Sequence, residues 1–367
     1  MRSISGARGG GQLVRSAAAF ACLTGEAVAV TDVRAARETP GLKRQHVAAL
    51  DALAAITDAD LDGARVGSER VAIDPGPVAG GDARVEIGTA GSVPLVVDAV
   101  LPLAARLDDP FRLTVTGGTD VRWAPPLDYL RCVKLPLLRA HGLDASLTCE
   151  RRGFYPAGGG AVTLTLRPSD LDSLSLSARG ARRGIDVRSV ASESLADADV
   201  AERQADAARD ALPGDGETSV AYVPADSPGS VVTLVARYAG VRAGFSALGE
   251  RGKPADDVAR EAVAAFEAFE ATAASVDTHL ADQLLPFAAL AGGEYVAPER
   301  TAHLETHAAL LETFGVDVTL ANDADGETKG RGDTTKGEGD ARAGDGTESD
   351  GDTDGPVRVR VAPGFSR

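Results

Sequence analysis

The chain has 367 residues, enough for one large domain or two ordinary ones, and no apolar run approaches the ~20 residues of a membrane span. Its net charge is −16, yet only five of the 38 basic residues are lysine and aromatic residues make up just 4%. So many carboxylates with so little lysine predict a cytoplasmic protein adapted to concentrated salt, where the Debye length shrinks to ~3 Å and self-repulsion is screened. The three cysteines (Cys22, Cys132, Cys149) lack any CxxC spacing. They point to buried thiols in a reducing compartment rather than a disulfide framework or a zinc knot.

Near the start, "GGGQ" (Gly9 to Gln12) precedes "SAAAFACLTG", which reads as a helix ending at Gly25. This short alanine-rich stretch, with Arg15 beside it and no basic region before it, does not make a signal peptide. "AVAVTDVRA" reads as a strand, "RQHVAALDALAAIT" as an amphipathic helix, and "ARVGSERVAI" and "ARVEIG" as strands. A similar pattern returns. "VPLVVDAVLPLAARL" is helical, "RLTVTGG" a strand, "PLDYLRCVKLPLLRAHG" helical, and "DASLTCERRG" and "GAVTLTLRP" strands. It returns again in "PADDVAREAVAAFEAFEATA", "LADQLLPFAALAGG" and a helix beginning near Thr301. Three α/β units of roughly 80 residues predict internal duplication.

Between the second and third units the texture changes. "GIDVRSV", "VAERQADAARDAL", "TSVAYV" and "SVVTLVARY" form a βαββ group that reads as a small inserted domain. Residues 322–356 contain eleven acids, four bases and no Leu, Ile, Val or Phe, so they predict a disordered loop. It lies between the strand-like runs "VDVTL" and "VRVRV". The expected division is therefore 1–179 (first two units), 180–250 (inserted α/β domain), 251–321 (third unit), 322–356 (acidic insertion) and 357–367 (last strand).

Taken singly, the chemical motifs are weak. Glycines before a helix let backbone N–H groups approach an anion, although "GGGQ" has neither Rossmann nor P-loop spacing. "RAARETPGLKRQH" concentrates Arg34, Arg37, Lys43, Arg44, Gln45 and His46, and guanidinium forks suit phosphate oxygens. Further glycine turns at "GTAGS", "GGTD" and "YPAGGG" suggest a crevice that holds phosphates. His303 and His307 lie four apart in "TAHLETH", a spacing that puts both on one helical face. They could grip a metal, or one of them could do covalent chemistry. Thr301 fits a helix N-cap, which would set His303 in the first turn, where the dipole favours a neutral imidazole and attracts phosphates.

In order and wording these motifs resemble the RNA 3′-terminal phosphate cyclase family. The matching stretches are "GGGQLVRSA", "VRAARETPGLKRQH", "EIGTAGSVPLV", "GGTD", "WAPPLDYLR", "RRGFYPAGGG", "GERGKPA", "LADQLLPFAALAGG" and "HLET". The resemblance implies an α/β (α+β) fold of three βαβαββ units around a pseudo-threefold axis, with a small α/β domain inserted before the third. It implies ATP and a divalent metal, Mg²⁺ or Mn²⁺, and as partner an RNA bearing a 3′-phosphate. In that family a histidine of the motif His-Leu-x-Thr takes AMP from ATP and passes it to the RNA end, and the vicinal 2′-hydroxyl then closes a 2′,3′-cyclic phosphate. His303 matches it. His307 stands where the family commonly has asparagine, and reads here as a flank of the Leu304/Ala308/Leu311 stripe. Gln12, Arg15, Arg34, Arg37, Gln45 and His46 match positions around the phosphates and the RNA end. Pro125, Asp282 and Gln283 match the wall near the nucleotide. One departure stands out: Arg8 occupies the place of a glutamate linked to the metal, and the strand before it is nearly absent. Two other readings share related folds, a catalytically inactive cyclase-like ribosome-assembly protein and an enolpyruvyl transferase. His303 and the arginine loop argue against the first, whereas Arg8 argues mildly for it; the cyclase-specific blocks argue against the second.

Overall fold

A computed structural model describes residues 1–7, 9–322 and 355–365; Arg8 and nearly all of the acidic segment, 323–354, lie outside it. β1 (Arg2–Ser5), α1 (Gly11–Thr24), β2 (Val28–Thr31), α2 (Arg44–Thr57), β3 (Asp60–Asp62) and β4 (Val71–Asp74) build one sheet in the order β1-β2-β4-β3. Only β1 and β2 run parallel in it. The second unit comprises β5 (Gly81–Glu86), α3 (Val93–Val100), β6 (Phe111–Gly117), α4 (Leu127–Tyr129), α5 (Leu135–Arg139), β7 (Ala145–Arg151) and β8 (Gly160–Leu166). Its order, β5-β6-β8-β7, is the same, again with only the first pair parallel.

A third unit opens with β9 (Leu174–Leu176) and is interrupted at once. The interruption holds β10 (Arg182–Ser192), α6 (Val200–Ala211), β11 (Thr218–Val223), β12 (Ser230–Tyr238), β13 (Arg242–Leu248) and α7 (Ala255–Glu270). The unit resumes with α8 (Thr278–Gln283), α9 (Leu285–Ala291), β14 (Gly293–Ala297), α10 (Ala302–Thr313), β15 (Val318–Asn322) and β16 (Val357–Val361). Read from β9, its order is β9-β14-β16-β15, with β9 and β14 parallel and the other pairs antiparallel, so one connectivity recurs three times.

Four details differ from the sequence expectation. The strand before the glycine loop is present: β1 pairs with β2 from Arg2↔Val28 to Ser5↔Thr31. The inserted sheet gains a fourth strand, β13, antiparallel to β12. β9, placed with the first two units, belongs to the third sheet. Helix α7, expected to open the third unit at 251, instead packs on α6, β12 and β13 of the insert.

Helix α1 is the axle of the packing. Every residue from Ser16 to Leu23 is buried, as befits a helix apolar on all sides, and four alanines keep it slim. It touches α2, α3 and α10, which draws the helix starts of the first and third units together.

Candidate functional site

The N-terminus of α1 is the floor of the site. Gly10 is its N-cap, and Gly11 packs so closely on His46 that a Cβ there would overlap the imidazole Nε2. His46 is buried, and its Nδ1 accepts from the backbone N–H of Lys43 at 3.0 Å, closing the first turn of α2. Burial lowers its pKa to about 3, helped by the charges of Arg15, Arg34 and Lys43, so the ring is neutral. Gln45, beside it, accepts from the backbone N–H of Ser92 at 3.1 Å and ties α2 to the start of α3.

The arginines of the first unit divide their labour. Arg34, in a left-handed backbone conformation, donates through Nη1 to the carbonyls of Thr39 (2.9 Å) and Gly41 (2.8 Å). It braces its own loop, a role that the motif match alone did not indicate. Arg37 is exposed, its Nη2 3.8 Å from where a Cβ on Gly10 would stand. Arg15, half-buried on α1, forms no ion pair or hydrogen bond among the described residues. Burial lowers its pKa, and the more distant Asp98 and Asp282 only partly offset this. A half-buried guanidinium without a partner is a site for an anion.

His303 faces this arginine from α10. Thr301 caps the helix, its Oγ1 accepting from the backbone N–H of Leu304 at 3.1 Å. That leaves His303 in the first turn, exposed and without a hydrogen bond among the described residues. Burial on its inner side lowers its pKa, and Arg15, Arg37 and His279 lower it further, so the imidazole stays unprotonated near neutral pH. One turn on, His307 turns away. It is buried, stacks on Phe20 with ring centroids 5.7 Å apart, and places Nδ1 3.2 Å from Gln12 Nε2. More than a flank of the apolar stripe, it is a core residue, with its pKa lowered to about 3 chiefly by burial.

Gln12 links three helices, because its Nε2 also donates to Asp282 on α8. Burial and the neighbouring Asp98 raise the Asp282 carboxyl to about 7, against the pull of Lys134 and Gln12. The next residue, Gln283, lines a narrow crevice with Pro125, Asp98, Tyr129, Leu130, Pro94 and Leu95. The two halves of the expected nucleotide wall, from the second and third units, thus meet. A larger cleft of about 490 Å³, lined by Arg106, Leu290 and Pro363 among others, contains none of the candidate residues.

Several supporting groups gave no signal in the sequence. Lys134, fully buried in a π turn spanning Leu130–Lys134, donates to Asp98. Asp277 caps α8 through the N–H groups of His279 and Leu280 (both 3.0 Å). It also accepts from Tyr129 Oη (2.7 Å) and from Gly244 N of β13 (2.9 Å). The rarity of lysine was the one available clue to Lys134; nothing marked Asp277. Among the described residues no three His, Cys, Asp or Glu side chains converge as a metal requires. Asp98 and Asp282 are already engaged by Lys134 and Gln12, so the described residues do not form a preformed metal cage. Arg8 lies outside them.

Residues 7–320 match the model of a family described as RNA 3′-terminal phosphate cyclase. A protein of that name from Halobacterium salinarum is 50% identical over 337 residues, covering 89% of this chain and 98% of that protein. Proteins of the same name from Archaeoglobus fulgidus and Pyrococcus furiosus are 42% and 40% identical, each covering 83% of this chain and 92% and 90% of their own lengths.

Proposed function

Because the chain belongs to the RNA 3′-terminal phosphate cyclase family, we propose that it uses ATP to close the 3′-phosphate of an RNA into a 2′,3′-cyclic phosphate, with His303 as nucleophile. The observation that carries this reading is the imidazole of His303 at a helix N-terminus near the guanidinium of Arg15, neither with a hydrogen bond or ion pair among the described residues and each with its pKa lowered chiefly by burial. A neutral imidazole nitrogen attacks the α-phosphorus of ATP, the bond to the β-phosphate oxygen breaks, and pyrophosphate leaves. Arg15, Arg37 and the N-terminus of α1 bind the phosphates and take up the charge that builds on the equatorial oxygens. An oxygen of the RNA 3′-phosphate then displaces the imidazole from phosphorus, giving an RNA-phosphate–AMP anhydride. Finally the 2′-hydroxyl attacks the 3′-phosphorus, its proton departs, and AMP leaves. Pro125 and Gln283 wall the nucleotide in. A divalent cation, which the family resemblance implies, would add positive charge at the phosphates when bound; the roles given above are those of the chain's own groups.

The acidic, lysine-poor composition suits a cytoplasm of concentrated salt, as does the Halobacterium relative. No helix among the described residues is long and apolar enough to cross a membrane.

Incubation with α-labelled ATP tests the reading. The unaltered protein should acquire an acid-labile adenylate, His303→Ala should not, and His307→Asn should retain it because its ring faces Gln12 and Phe20 and not the site. Equal loss in both histidine variants would sink the assignment of the nucleophile.

A further inference from the structure

Trp123 is the chain's single tryptophan, and it is 94% exposed. In a protein with 4% aromatic residues, an indole left in water is unusual. Its backbone is also held in the left-handed region, at φ +62°, which disfavours a bulky side chain. The loop that carries it is not slack. Arg152, buried, donates to both oxygens of Asp120 at 3.0 Å and to Asp128 Oδ2 at 2.5 Å, so both ends of the 121–127 loop are clamped from below. Within the same loop, two residues on, Pro125 lines the nucleotide crevice.

A second exposed aromatic is brought to the same edge. Phe154 bridges to Asp120 and sinks into a small core with Val190 and Val231 of the inserted sheet. Its neighbour Tyr155 is thereby turned outward, 72% exposed. Trp123 and Tyr155 are the only exposed large aromatics among the described residues. Arg122 and Arg151, both exposed, flank them and are paired to Glu250 and Asp226 at the surface.

The geometry points to Trp123 and Tyr155 as a stacking platform for the bases that precede an RNA 3′ end held in the crevice. This rests on the proposed reaction at that end. Base stacking on aromatic faces tolerates any sequence and needs no counterion release. It is the kind of contact that persists in concentrated salt, where a strongly acidic protein gains little from phosphate attraction. The inserted domain then has a part to play, since its core fixes where Tyr155 stands.

The single indole makes its own reporter. Its emission should be quenched saturably by a 3′-phosphorylated hexauridylate in molar KCl and hardly at all by uridine 3′-phosphate. Trp123→Ala should raise KM for cyclisation of the hexamer roughly tenfold, with Tyr155→Ala somewhat less. Self-adenylylation and KM for a 3′-phosphorylated dinucleotide should stay unchanged, and Trp123→Phe should restore most of the lost affinity. A hexamer cyclised without quenching, or a Trp123→Ala effect equal at both lengths, overturns the platform. If no RNA is cyclised, the catalytic reading falls, and quenching by the hexamer alone then decides the platform in either direction.

Discussion

Gly11→Ala is a one-methyl change whose outcome runs against helix propensity. At the first position of α1, alanine should be favoured over glycine by up to about 1 kcal/mol. The structure reverses the sign. The added Cβ would overlap Nε2 of His46 and stand 2.5 Å from Cε1 and 2.7 Å from Cδ2. The ring cannot swing aside freely, because it is buried and its Nδ1 holds the backbone of Lys43. Overpacking of this kind costs about 1–3 kcal/mol, and losing the Lys43 bond about 1 more. A net loss of about 2 kcal/mol in urea unfolding is expected, together with at least a tenfold slower adenylylation as the α1 N-terminus shifts. Gly10→Ala is the control. Its Cβ would meet nothing closer than Arg37 Nη2 at 3.8 Å, so it should cost only the preference for glycine over alanine at an N-cap, about 1 kcal/mol or less. In a His46→Ala background the penalty of Gly11→Ala should vanish, a coupling read from the double-mutant cycle. Equal stability of Gly10→Ala and Gly11→Ala, or a penalty that survives removal of the imidazole, would refute this account of the floor.

Arg34→Ala should lower stability by about 2 kcal/mol, because two loop carbonyls lose a charged donor, whereas Arg37→Ala should leave the urea midpoint unchanged and raise KM. Both comparisons belong in molar KCl, where activity should persist. Acid titration should show a signed slope. His46 and His307, each lowered to about 3, bind no proton in the folded state as pH falls below 6.5, so each removes about 1.4 kcal/mol per pH unit. Asp282, raised to about 7, takes up a proton in the folded state and offsets one of them down to the ordinary carboxylate range. Asp282→Asn should therefore steepen the loss of stability below pH 6.5, and an unchanged slope in urea midpoints measured against pH would contradict this. Asp277→Asn should cost about 1–3 kcal/mol in urea unfolding, since an amide nitrogen must then face one of the four donors it replaces an acceptor for.

Helices were legible where period and caps agreed. The sequence period over "RQHVAALDALAAIT" returns as α2 over the same residues, and Gly25 ends α1 in a left-handed turn. Short strands were not. "RSIS" offers a single apolar residue, yet β1 forms because β2 supplies a parallel edge. "RAGFSAL" contains no β-branched residue, yet it is a buried strand beside β12. Amphipathic period identified α7 as a helix but could not say which sheet would cover its apolar face, and the insert does. At the site, His303, Arg15 and Pro125 were expected from the family resemblance, whereas the hydrogen-bonded hub of Asp277 and Tyr129 joins residues 148 positions apart and leaves no local trace.

The last strand occupies the middle of its sheet. β16 has β14 on one side and β15 on the other, and β9 at the far edge waits through the whole inserted domain for β14. A ribosome delivers these residues in order, so the third sheet cannot close until Val357–Val361 have emerged. The helix bearing His303 lies between β14 and β15 in the chain and packs on α1, α8, α9 and β15, all of which precede the last strand. Chains cut short during synthesis would carry every motif upstream of the final strand and still leave the third sheet open at its middle, with β14 and β15 unjoined.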